Sequence, residues 1–487
     1  MKIENVFKLK GANEVIKELK LHRYNPHPNV ASAKKVLDPE QHKINNKVFR
    51  PDKRVKIDGE DVCENHQSLP NGYIGGKKET AYRIEKVARI SLAIQKLVIK
   101  RAIAFLFGNP VVYDAETQND NQELVMKALK RILHDVKSNS LNRKIARAMF
   151  GFKECAELWY PTEKPNSNYG FKSQFKLRCA LFSPAFGDTL YPYFDETGDM
   201  TAFSREFSRK DVEKKPITYF ETYTDTEHWM WVQGGNGFEV VDGYPKPIAI
   251  GKIPVVYGYQ DEYETQDIDS LIDRLEVLLS NFADTNDYHA APKIFIKGEL
   301  KGFSKKGESG AIIEGEDGSD AKYLSWANAP EAVKLEIETL LRMIYTITQT
   351  PDISFESVKG LGAISGIALK LLFMDAHLKV QDKREIFDEY LQRRTNVIKA
   401  FIGQFNTSLE ADCDELEIEP EIIPYMLTSE IDELNYWLTA NGNKPVISQE
   451  ETVEKVGLTK NPQATFAKIQ EETSNENTFS IGEFTEA

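Results

Sequence analysis

The period of the apolar positions changes several times along the chain, and each change predicts a change of element. Between residues 83 and 107, Ile84, Val87, Ala88, Leu92, Leu97 and Ile103 are spaced as on one helical face. Gly108-Asn109-Pro110 ends that helix. A second helix is expected near 122–149. From 150 to 258 the pattern is different. Aromatic and β-branched runs alternate with turn signals, as in FDETGDMTAF and WVQGGNGFEVV, which predicts an antiparallel β region. Its tyrosines and tryptophans read as packing residues, because large rings fill cores.

Helical spacing returns at about residue 267. Ile268, Leu271, Ile272, Leu275, Leu279 and Phe282 fall on one stripe, while Asp269, Asp273, Glu276, Asp284 and Asp287 fall largely on another. The early acids suit the positive end of the helix dipole. A small β insertion follows over 291–328, with KIFIKG, GAIIEGEDG and AKYLSW as its strands. Pro330 opens another helix, with Val333, Ile337, Leu340, Leu341 and Ile344 on its buried side, and Pro351 closes it. After a glycine-rich stretch the longest helix runs from Ser365, a suitable cap, to Phe405, with Phe387, Leu391, Ile398 and Ile402 at helical spacing. It would span about 60 Å. Two short helices are expected in TSEIDELNYWLTANGNKPVISQEETVEKVG, where Ser448 and Glu451 fit a capping box. Residues 1–80 are polar and proline-broken and read as short helices and an arm. The final EETSNENTFSIGEFTEA reads as disordered.

Composition narrows the class. The chain has 487 residues, 41% of them hydrophobic, enough for more than one compact domain. Mean hydropathy is −0.45, and no apolar run is long enough for a membrane span or a signal peptide core. Four scattered cysteines, Cys63, Cys155, Cys179 and Cys413, favour reduced thiols. The net charge of −13 is unevenly placed. Residues 1–58 hold 14 Lys and Arg against 7 Asp and Glu, whereas residues 407–487 hold 4 against 18. Such an acidic end does not grip nucleic acid by neutralising phosphates.

Candidate chemistry changes this picture little. Gly360, Gly362 and Gly366 before a helix could cradle a phosphate or form a flexible loop. A dinucleotide site also needs a strand bearing an acid about 20 residues on, and Asp382, at that distance, falls inside the expected long helix. There is no G-x-x-x-x-G-K-[ST] motif and no G-x-S-x-G elbow. Cys63-Glu-Asn-His66 is half of a zinc signature without its second half. His22 and His27 lie in a proline-rich segment, and all eight histidines read as surface or internally satisfied residues. Asp269 and Asp273, one turn apart, could hold a divalent ion, but an N-terminal helix surface accounts for them more simply. No catalytic, cofactor or metal constellation emerges, so an enzyme is not expected.

The order of parts says more than any motif. A helix leads out to a small β module, a second helix leads back, and a glycine-rich loop opens onto a third helix. In that order the chain resembles the portal proteins of tailed double-stranded DNA bacteriophages, the head-to-tail connector family. FLFGNPVVYD, MFGFKECAELWY, IPVVYGYQDEYETQDIDSLIDRLEVLLSNFAD, SGIALKLLFMDAHLKVQDKREIFDEYLQRR and ISQEETVEKVGLTKNPQATFAKIQEE carry the likeness, with Ser365-Gly366-Ile367-Ala368-Leu369-Lys370 its most specific stretch. Residues 1–70 and 473–487 carry little of it.

The resemblance implies an α+β portal fold: a wing over 71–265, a two-helix stem over 266–290 and 329–350, and a β-containing clip over 291–328. It further implies a tunnel loop over 351–364, a long helix with the rest of the wing over 365–424, and a helical crown over 425–475, between an N-terminal arm (1–70) and a C-terminal tail (476–487). It also implies a homo-oligomeric ring, usually of twelve, at one capsid vertex of the virion, assembled in the host cytoplasm and passing viral DNA without sequence specificity. Terminase, a head-completion or tail adaptor protein, and the major capsid and scaffolding proteins would be partners. On this reading Pro351, Lys359, Gly360, Gly362, Ser365 and Lys370 form or flank the tunnel loop. Lys297, Gly298, Lys301, Lys305 and Lys306 are candidate clip contacts, and Asp269, Asp273 and Glu276 are candidate channel lining. Another ring-forming connector or tail component and a nucleotide-dependent enzyme are the alternatives.

Overall fold

The structure, a computed structural model, describes residues 2–56, 82–210, 213–289, 293–297, 320–324, 329–352, 373–425, 439, 448–456 and 461–482. It falls into two compact units, residues 1–352 with 375–425 and residues 353–374 with 426–487.

The first unit is layered. Helices α1 (Ile3–Val6) and α2 (Ala12–Leu21) cover one face of a sheet built from β6 (Thr189–Phe194), β7 (Met200–Lys210), β8 (Pro216–Tyr223), β9 (Glu227–Gly234) and β10 (Gly237–Val240), joined in the order β10-β9-β8-β7-β6. Alternation along the strands decides which side chain faces which layer. Tyr191, Tyr193, Phe220 and Trp231 meet Val6, Val15, Ile16 and Leu19 of the helices. Leu190, Phe203 and Tyr223 point the other way, onto a second sheet of β4 (Glu154–Asn166), β5 (Ser173–Phe182) and β12 (Val255–Tyr259). The expected antiparallel region is therefore two stacked sheets. The first 22 residues belong to this packing rather than to a free arm. Arg23 fixes the end of that segment, reaching Glu154 at 2.9 Å in a buried pair that Tyr257 also joins.

Helices α4 (Ile94–Phe107), α5 (Asp120–Asp135), α6 (Ser138–Phe152) and α9 (Met374–Phe405) form the remaining layer. The helix expected over 122–149 is two helices, because Lys137 takes a left-handed conformation at φ 56° and the chain turns there. The helix expected from residue 83 starts only at Ile94: residues 82–85 form β2, paired with β1 (Lys53–Lys56), and residues 86–93 are irregular. Along α9, Phe387 packs on Phe107 and Phe150, and Tyr390 fills the space that Gly258 of β12 leaves open.

Helices α7 (Asp269–His289) and α8 (Ala329–Ile347) lie against each other, and the short pair β13 (Lys293–Lys297) and β14 (Asp320–Leu324) joins them antiparallel, Lys293 opposite Leu324. In the second unit, α11 (Gln449–Val456) begins with the expected capping box: Glu451 N donates to Ser448 Oγ at 3.1 Å, and Ser448 N to Glu451 at 3.2 Å. Helix α12 (Pro462–Gly482) lies beside α11 and continues through most of the tail expected to be disordered.

Candidate functional site

The α7–α8 hairpin is the part of the molecule whose shape asks for a partner. Ile268, just before α7, and Ile272 and Leu275 of α7 meet Ile344 of α8 and Ile94 and Val98 of α4, which roots the hairpin in the body of the first unit. At roughly 1.5 Å per residue, the 21 residues of α7 are about 30 Å long.

The polar face of α7 is a docking rail. Leu92 N donates to Glu276 Oε1 at 2.7 Å, Ile90 N to Ser280 Oγ at 2.9 Å, and Ala88 N to Asp284 Oδ1 at 2.7 Å. Two residues of extended chain advance about as far as four residues of helix, so every second N–H finds a side chain one turn further on. This explains why residues 86–93 do not continue α4: the amide hydrogens of Ala88, Ile90 and Leu92 are taken by side chains of α7.

A second segment, residues 38–50, lies on the same rail. His42 Nδ1 lies 2.6 Å from Glu276 Oε1, Lys43 pairs with Asp273 at 2.5 Å, and Arg50 donates to both Asn281 and Asp284 at 2.7 Å. Within the subunit these contacts engage Asp273 and Glu276, two of the three acids, with Asp269 the third, expected as channel lining. Glu276 is only 1% exposed and faces His42. Asp273 is taken up by Lys43, and burial raises the half-buried Asp269 carboxyl above the usual carboxylate range while Gln95 bonds to it. The periodicity placed these acids on one stripe correctly. It held no information about what covers the stripe, because Arg50, His42 and the 88–92 amides are remote in sequence.

Both ends of the hairpin meet α9. Lys379 pairs with Glu264, just before α7, and donates to the carbonyl of Thr348, just after α8. Lys383, one turn on, holds the other oxygen of Glu264 at 3.1 Å. Helix α8 ends through Gln349, left-handed at φ 48°, with Thr350 N bonded back to Tyr345 O. Pro351 follows, buried, its carbonyl accepting from Arg101 at 2.9 Å. Lys359, Gly360, Gly362, Ser365 and Lys370 lie outside the described residues, as do Gly298, Lys301, Lys305, Lys306 and the Cys63–His66 pair. Lys297 closes β13 and is exposed. His22 lies tilted against Tyr193 and within 2.9 Å of Glu18, and His27 meets the Tyr191 ring edge-on, where burial lowers it to about 4.

Among the described residues, one face of α8 is apolar and only partly covered. Leu335, Met343 and Ile347 stand one or two turns apart on a single line, 64%, 45% and 46% exposed. Burying the exposed part of this line is worth roughly 25 cal/mol per Å² of apolar surface.

No curated protein matches the chain. Among solved structures, it is similar to a chain in the neck of an empty GTA particle computed with C6 symmetry, at 11% identity, over 75% of this chain and 89% of that one, with a TM-score of 0.38. A chain in the virion of the native gene transfer agent particle matches at 11% identity over 75% and 88%, with a TM-score of 0.36. One in the neck of the native particle computed with C12 symmetry matches at 12% identity over the same shares, with a TM-score of 0.35. The family model described as phage portal protein, SPP1 Gp6-like, matches residues 42–478. That span takes in the 38–50 rail segment from His42, both hairpin helices, α9 and most of α12, and on it the chain belongs to the SPP1 Gp6-like phage portal protein family.

Proposed function

We propose that copies of this portal protein, twelve by the family resemblance, close into a ring at one capsid vertex, with the α7–α8 hairpins side by side around an axial channel for the viral genome. The observation that carries this is the exposed apolar line Leu335, Met343 and Ile347 on α8. Helix α7 has its apolar side on α8 and α4 and its polar side under residues 38–50 and 88–92, so the hairpin offers a neighbour mainly α8. An interface that is not self-complementary propagates head to tail and closes into a ring when the rotation allows. The protein's part is structural, with a separate terminase driving the DNA. The β13–β14 module at the hairpin tip is the contact for terminase and then for a head-completion or tail adaptor, since the edges of a two-stranded module suit strand addition. Residues 351–364 form a collar in the channel with Lys359 near phosphates, and major capsid and scaffolding proteins meet the ring's periphery.

Axial electron micrographs and light scattering of the purified full chain test the assembly. Closed rings are expected. Leu335→Lys with Met343→Lys should leave folded single subunits, because two ammonium groups cannot be buried unpaired in a stem interface. A wild-type protein that stays monomeric at micromolar concentration, or a double variant that forms rings as well as the wild type, overturns the reading.

A further inference from the structure

The segment over residues 38–50 is held to α7 by one group whose charge changes near neutral pH. His42 Nδ1 lies 2.6 Å from Glu276 Oε1, and its Nε2 lies 2.9 Å from the carbonyl oxygen of Val36. Both partners are acceptors. A neutral imidazole carries one N–H and can satisfy only one of them, whereas the imidazolium satisfies both. The pair is sealed, with side-chain exposures of 5% and 1%, so no solvent replaces a lost bond. Glu276 also accepts from Leu92 N, which joins the two segments on the rail through a single carboxylate.

We infer that His42 and Glu276 form a protonation-controlled latch that clamps residues 38–50 onto helix α7 while His42 is charged and loosens them when it is neutral. The surroundings agree. The groups facing His42 are Glu276, Asp273 and Asp269 from α7, Asp38 from its own segment, with Lys96 of α4 beyond it, and Lys43 alongside. Burial works against the charge on His42, but the hydrogen bonds to Glu276 and Val36 and the nearby carboxylates outweigh it and raise the imidazole above its ordinary value of 6.5. A raised histidine contributes its full hold below 6.5 and loses it as pH climbs through the higher value in the folded state. The bond to Asp273 raises Lys43 above the ordinary lysine value, and Arg50 donates to Asn281 and Asp284 further along, so the segment loosens about the His42 end rather than leaving the stem. The inference concerns the single subunit and does not depend on ring closure.

Hydrogen–deuterium exchange of the full chain, followed by mass spectrometry and corrected for intrinsic exchange chemistry, tests it. From about pH 6 to about pH 8.5, opening of residues 38–46 should rise up to tenfold per pH unit above 6.5 and then level off. The β4 peptide, residues 154–166, should stay equally protected and so reports that the fold is intact. His42→Gln, which cannot be charged, should remove the pH dependence while β4 remains protected. A flat profile in the wild type, or the same slope in His42→Gln, overturns the latch.

Discussion

Lys379 Nζ lies 2.8 Å from the carbonyl oxygen of Thr348 and 2.5 Å from the carboxylate of Glu264. Those two groups mark the two ends of the α7–α8 hairpin where it enters the body, and one ammonium on α9 ties them together. The carbonyl is one of those a helix leaves unsatisfied at its C-terminus, where positive charge is also favoured by the dipole. Burial lowers Lys379 below the usual lysine value, and Glu264 opposes that shift.

Lys379→Met should therefore destabilise the protein by about 3 kcal/mol, near the lower figure for breaking a buried pair, since Lys383 still neutralises Glu264. A urea denaturation midpoint at unchanged slope reads this directly. Glu264→Gln in the same background should cost much less than it does alone. Additive losses would show that the two residues do not act as a pair.

Arg394 makes the second buried link of α9. Its guanidinium grips Glu157 in a fork at 2.7 and 2.9 Å and donates to Asn142 at 2.5 Å, with both partners of the ion pair essentially unexposed. Trp159 donates to the same carboxylate at 3.0 Å. Burial works against the guanidinium charge, and Glu157 outweighs it. Arg394→Met alone should cost about 3–5 kcal/mol because it strands a carboxylate, whereas Arg394→Met with Glu157→Leu should recover most of that loss. If the double variant is as unstable as the single one, packing rather than charge sets the penalty.

These links were not legible in the sequence, for a definite reason. Helical spacing along α9 picked out Phe387, Leu391, Ile398 and Ile402, all of which are buried. It gave no sign that Lys379, Arg394 and Lys399 are buried as well, because a charged residue is buried only where a partner meets it. Their partners, Glu264, Glu157 and the Leu416 carbonyl, come from other elements. The same limit explains residues 86–93, where apolar spacing predicts helix and side chains of α7 claim the amides. The hairpin, by contrast, was readable: two apolar stripes, Pro330 and Pro351 at the ends of its second helix, and strand-like runs between the helices are all local signals. The partner of the acidic stripe was not, since the rail is written half in α7 and half some 230 residues earlier, at His42 and Arg50.

The last prediction concerns the glycine-rich loop beyond Pro351. Its base is fixed: Arg101 holds the Pro351 carbonyl and lies over the Tyr345 ring, Thr348 and Thr350 bond to each other at 3.0 Å, and Lys379 holds the Thr348 carbonyl. Glycine carries no Cβ and admits the widest range of backbone angles, and Gly360 and Gly362 lie beyond that base, outside the described residues. Proline at both positions fixes φ and removes two donors without touching the base or the Leu335–Met343–Ile347 line. Gly360→Pro with Gly362→Pro should thus leave ring formation and the denaturation midpoint of the subunit unchanged. If residues 351–364 line the channel, DNA content per particle should fall. Axial micrographs of the variant ring and quantification of packaged DNA check both halves. Full packaging by the variant would sink the collar assignment, and loss of ring formation would place these residues in the subunit interface instead.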